Sequence, residues 1–83
     1  MSYRIQFTKT FADDVKGTDK ALKLRVEKAI EKIKAEPTRF KRLHHHHNFF
    51  SVRIENFRLV YKVENEVVTL LFFRKRSDAY RKV

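Results

Sequence analysis

The chain has 83 residues, with 20 Lys and Arg against 10 Asp and Glu, no cysteine, one glycine and one proline. That length supports one domain, 1–83, with one modest core, and a 42% hydrophobic content with eight Phe excludes a disordered chain. The absent cysteines exclude disulfides, thiolate nucleophiles and Cys-based zinc sites, the lone glycine excludes a Gly-rich phosphate loop, and a net charge of +10 points to nucleic acid, an acidic protein or an anionic membrane surface.

Residues 2–7 alternate as a first strand, with Tyr3, Ile5 and Phe7 on one face, instead of forming the apolar block of a secretion signal. No apolar run reaches the roughly 18 residues of a membrane span, so a cytoplasmic protein without membrane contact is expected. Thr8 can cap a short helix through about Lys16, with Phe11 and Val15 on its buried side. Gly17 stands where a helix C-terminus favours a left-handed glycine. Thr18 or Asp19 then caps a longer helix, on which Leu22, Val26, Ala29, Ile30 and Ile33 form one apolar stripe. Pro37 stops that helix. Residues 38–48 read as a basic, polar connection holding Arg39, Lys41, Arg42 and the run His44-His45-His46-His47.

Strands are expected at about 49–55, 57–63 and 67–74, with turns at Glu55-Asn56 and Glu64-Asn65-Glu66. The last strand is apolar on both faces, as a central strand is. The basic end, Arg74 to Val83, has room for a short helical turn. The predicted order is β-α-α-β-β-β: an α+β fold, with a curved, mainly antiparallel sheet and the helical hairpin packed on one face.

The hairpin carries the first functional signal. If its loop is Glu55-Asn56, Phe50, Val52, Ile54, Phe57, Leu59 and Tyr61 share one face. Ser51, Arg53, Arg58 and Lys62 share the other, and Arg53 faces Arg58. Like charges opposed across a hairpin are destabilising, which suggests an anion for them to hold. With Arg74 and Arg76 they form either a phosphate-gripping set or a merely basic sheet face. The excess charge lies in this half: residues 1–37 carry nine basic and six acidic side chains, residues 38–83 eleven and four.

Tyr80 can stack on a base, transfer a proton or simply pack the C-terminal segment. The histidine run reads as a polar loop, and no second cluster completes a metal ligand set. Asp13, Asp14 and Glu55 form no evident acid–base pair, and no metal or cofactor is expected.

Arg53-Ile54, Phe57-Arg58-Leu59-Val60-Tyr61 and Arg74-Lys75-Arg76-Ser77-Asp78-Ala79-Tyr80 resemble the C-terminal half of the RelE toxins of bacterial and archaeal toxin–antitoxin systems. The preceding strand, two helices, Pro37 and Leu43 fit the same pattern. The resemblance implies a metal-independent, ribosome-dependent endoribonuclease, an mRNA interferase, that cuts A-site mRNA by attack of a 2′-hydroxyl on the adjacent phosphate. It implies catalytic roles for Arg53, Arg58, Arg74 and Tyr80. Ser51, Lys62, Lys75, Arg76 and Arg81 are the expected RNA contacts. Lys75-Arg76 stands where some members carry His-Arg, so either Arg74 or Arg76 can be the catalytic arginine. Ser51 stands where some members carry a lysine. The implied partners are the ribosome with its mRNA and a RelB-like antitoxin in a heterocomplex. The alternatives are a ParE-like protein that inhibits DNA gyrase by binding, and a catalytically weak RNA- or ribosome-binding relative.

Overall fold

A computed structural model describes residues 3–43 and 48–79. The chain runs β1 (Arg4–Phe7), α1 (Lys9–Lys16), α2 (Lys20–Ala35), a 3-10 turn (Pro37–Arg39), β2 (Lys41–Arg42), β3 (Phe49–Ile54), β4 (Phe57–Glu64), β5 (Val67–Lys75) and α3 (Arg76–Ala79). One five-stranded sheet has the order β1-β5-β4-β3-β2. Among the described strands only the β1–β5 pair is parallel, so the expected α+β fold with a mainly antiparallel sheet is what forms. None of the described helices is long and apolar enough to cross a membrane.

This order dictates where the helices lie. β1 occupies one edge of the sheet and β2 the other, so the chain between them must cross the whole face. A 16-residue helix spans about 24 Å, against roughly 19 Å between the edge strands of a five-stranded sheet. Both helices are capped from the side chains at their starts. Thr8 Oγ1 accepts from Phe11 N–H (3.0 Å), and Asp19 Oδ1 accepts from Leu22 N–H (2.8 Å), which decides between Thr18 and Asp19. Gly17 closes α1 with a φ of −82°. The left-handed conformation expected of it is absent, and the turn into α2 is instead closed by Thr18, whose N–H and hydroxyl both donate to the Val15 carbonyl.

The α2 stripe, Leu22, Val26, Ala29 and Ile33 with Ile30 beside it, packs on Phe50, Val52, Ile54, Leu59, Tyr61, Val68, Leu70 and Phe73. Alternation along β3 and β4 places these side chains on one face. Tyr61 is fully buried, its ring stacked on Phe50 at 5.5 Å, and its hydroxyl donates to the Pro37 carbonyl. The stop residue of α2 is thereby tied to the centre of the sheet. Two expectations change. Phe7 does not join the core: it ends the edge strand, 62% exposed, with its ring tilted against Phe11 at 6.2 Å. The connection expected at 38–48 also contains β2, a two-residue strand paired with Phe50 and Ser51. A Lys-Arg pair carries no strand pattern; the open edge of β3 supplies the pairing.

The second turn is narrower than expected. Glu64 pairs with Val67, leaving Asn65 (φ 47°) and Glu66 (φ 67°) as a two-residue loop with both residues left-handed. That geometry favours Asn-Gly, and Glu66 is strained there. Glu66→Gly should stabilise the protein by about 1 kcal/mol and raise the thermal midpoint by several degrees; an unchanged or lower midpoint would show that Glu66 is not strained. Tyr61→Phe removes the partner of a buried carbonyl and should cost about 1–2 kcal/mol in denaturant unfolding. Burial pushes the Tyr61 phenol above its ordinary value of about 10. The folded state therefore keeps this proton longer than the unfolded one. The stabilisation is complete below pH about 10 and is lost as pH rises through the raised value, a loss that should be shallower in Tyr61→Phe.

Candidate functional site

The sheet face opposite the helices carries a small apolar cluster and a row of arginines. The cluster is Leu43, Val60 and Phe72, with Phe49 and Leu71 packed against it. The row crosses three strands. Arg53 of β3 pairs with Arg58 of β4, which pairs with Arg74 of β5, and neighbouring strands lie about 4.8 Å apart.

Arg74 reaches this row because β5 is bulged. Tyr61 pairs with Leu70, and an unbroken ladder would set Phe73 opposite Arg58. The register shifts between Val60 and Tyr61, so that Val60 meets Phe72 and Arg58 meets Arg74, with Leu71 as the extra residue. One inserted residue exchanges the two faces of a strand beyond it. Phe73 consequently turns into the helix-covered core, stacked on Phe57 at 4.8 Å, and Arg74 joins Arg58.

Each arginine is held differently. Arg53 is exposed. Arg58 is half-buried and donates from Nη1 to the Phe57 carbonyl at 3.2 Å. Arg74 donates from Nε to Asp14 Oδ2 at 3.1 Å, and its guanidinium carbon lies 6.0 Å from the centre of the Phe72 ring. The turn between β3 and β4 lies at the end of the row. Its left-handed residue is Glu55 (φ 56°) and not Asn56, the residue type that tolerates this backbone more readily. Glu55 is paired with Arg25 of α2 at 3.0 Å. The Asn56 carbonyl accepts from Arg76 N–H at 2.9 Å and fixes the start of α3 to the hairpin turn.

Arg53, Arg58, Lys75, Arg76 and Ser77 therefore line an open groove of about 320 Å³ that ends at the Glu55-Asn56 turn. Four cations facing one recess suit a phosphate, which guanidinium groups grip with paired hydrogen bonds while remaining charged.

Other expected residues fall elsewhere. Ser51 belongs to the same sheet face but is buried, 6% exposed, and pairs with Lys41 and Val60. Lys62 is four residues further along β4, ion-paired with Glu64 at 3.2 Å, and lines a separate polar recess with Arg4, Gln6 and Thr69. Tyr80, Arg81 and His44–His47 lie outside the described residues. Asp14 was missed as a partner of the arginines. Its one sequence signal is a position three residues after the buried Phe11, which turns it toward the sheet side of α1.

A family model described as "ParE toxin of type II toxin-antitoxin system, parDE" matches residues 5–80. No curated protein matches the chain. Among solved structures, the RelBE2 toxin–antitoxin complex of Mycobacterium tuberculosis is 27% identical with a TM-score of 0.78, the match covering 92% of this chain and 100% of that chain. The RelE–RelB complex of Pyrococcus horikoshii is 22% identical with a TM-score of 0.80, covering 95% and 100%. The isolated RelE toxin of E. coli is 20% identical with a TM-score of 0.81, covering 98% and 94%.

Proposed function

The chain belongs to the ParE toxin family of type II toxin–antitoxin systems, and on that premise we propose that it is a ribosome-dependent mRNA endoribonuclease acting in the cytoplasm. The observation that carries this reading is the register of Arg53, Arg58 and Arg74 across three strands beside a basic groove. A toxin that acts only by binding does not require three guanidiniums at one level of a sheet, whereas phosphoryl chemistry does.

In this reaction the 2′-oxygen of an A-site nucleotide bonds to the adjacent phosphorus while the bond from phosphorus to the 5′-oxygen breaks. The 2′-hydroxyl proton leaves, and a proton reaches the departing 5′-oxygen. The products are a 2′,3′-cyclic phosphate and a 5′-hydroxyl. The phosphorane-like transition state carries extra negative charge on its non-bridging oxygens, and preformed cations stabilise that state more than the ground state. Arg58 and Arg74 take this role. Arg53, the most exposed of the row, contributes charge or takes part in proton transfer. Lys75 and Arg76 hold the neighbouring RNA backbone, and Tyr80 stacks on a base or moves a proton. The antitoxin partner is RelB-like, as in the neighbouring complexes, and it covers this basic face to silence the toxin.

The second reading, a ParE-like protein that inhibits gyrase by binding, is favoured by the description of the matching family model. One experiment separates the two. With translating ribosomes and mRNA, primer extension should reveal A-site cuts by the wild-type chain. Arg58→Ala and Arg74→Ala should each reduce the cutting rate about 100-fold or more, and Arg53→Ala about 10-fold. Intact mRNA together with blocked DNA supercoiling would replace the interferase reading with gyrase inhibition.

A further inference from the structure

β1 runs out where β5 continues. The last residue of the parallel pair, Phe7, is matched to Leu70, so beyond Leu70 this edge of β5 has no neighbouring strand among the described residues. α1 takes the vacant place. Thr8 N–H donates to the Leu70 carbonyl (3.1 Å), and the Thr8 hydroxyl donates to the Leu71 carbonyl (2.7 Å). Six residues later Asp14 Oδ2 accepts from Phe73 N–H and from Arg74 Nε, both at 3.1 Å. A single carboxylate oxygen therefore satisfies an edge amide of the bulged strand and holds the side chain of the next residue.

The manner of holding matters. A guanidinium has five N–H donors, and attachment at Nε leaves the four on the terminal nitrogens free, which are the donors that meet a phosphate in parallel pairs. Phe72 lies under the same group. The pair is largely shielded, with side-chain exposures of 17% for Asp14 and 28% for Arg74. We propose that Asp14 is the positioning residue of this site: its carboxylate, braced by the Phe73 amide, fixes Arg74 so that its terminal nitrogens meet an RNA phosphate. This rests on the interferase reading for the reaction, but the link between Asp14 and Arg74 stands independently of it.

Asp14→Asn keeps an oxygen for the Phe73 amide and removes the charge that holds Arg74. In the isolated wild-type chain, the Arg74 Nε–H proton should give an NMR signal protected from exchange with water, and Asp14→Asn should lose that protection. On ribosome-bound mRNA, Asp14→Asn should cut about 10- to 100-fold more slowly. In an Arg74→Ala background the same change should cause no further loss, because both substitutions remove one unit. Asp14→Glu should recover part of the rate. An unprotected Arg74 Nε–H in the wild type would overturn the proposal, as would full activity of Asp14→Asn or an equal loss with and without Arg74. A wild-type chain that cuts no mRNA would sink the interferase reading alone. Binding of a single-stranded RNA oligonucleotide then decides the positioning role: Asp14→Asn must weaken it only when Arg74 is present.

Discussion

Three guanidinium groups side by side across neighbouring strands repel one another, and everything distinctive in this sheet accommodates that placement. Like charges directly opposed on a sheet face cost up to about 1 kcal/mol per pair. The fold offsets part of this. Arg74 is matched by the Asp14 carboxylate, Arg58 lies against the Phe57 carbonyl, and Arg53 faces water at the mouth of the groove. The charge that stays uncompensated on this face suits an anion, and the proposed chemistry would use it for one whose charge rises during reaction.

The placement depends on a single inserted residue. Without Leu71 out of step, the ladder would bring Phe73 to the outer face and send Arg74 toward the helices, losing a core aromatic and burying a charge together. The bulge in turn needs support on its open edge, and the short β1 makes room for α1 to give it. Thr8 thus acts twice, capping α1 and binding β5 at the bulge. The N-terminal strand and helix, far from the arginines in sequence, hold β5 through backbone pairing and through the side chains of Thr8 and Asp14.

Much of this was legible in the chain. The period-two pattern of Phe50, Val52, Ile54, Phe57, Leu59 and Tyr61 set the hairpin register, and hence the Arg53–Arg58 pair, because a slip of one residue would have exposed all six. The stripe on α2 was equally plain. The bulge was not, since Val67 to Phe73 is apolar at nearly every position and gives no alternation from which to count. β2 has too few residues to carry a pattern. The Asp14–Arg74 pair joins residues 60 apart, and one acidic side chain on a short helix does not indicate its partner. Glu55 and Glu66 occupy left-handed turn positions that composition would assign to Asn or Gly; the tight two-residue loops between paired strands impose that conformation.

The membership shown by the family model makes this a toxin of a type II toxin–antitoxin system, and the proposed chemistry on a phosphodiester rests on the arginine row. The most direct test is ribosome-bound mRNA carrying a single 2′-deoxynucleotide on the 5′ side of the cut. Internal attack predicts that the all-ribose message yields a 2′,3′-cyclic phosphate and a 5′-hydroxyl, while the deoxy message remains intact at that position. Equal cleavage of the two messages would contradict the account.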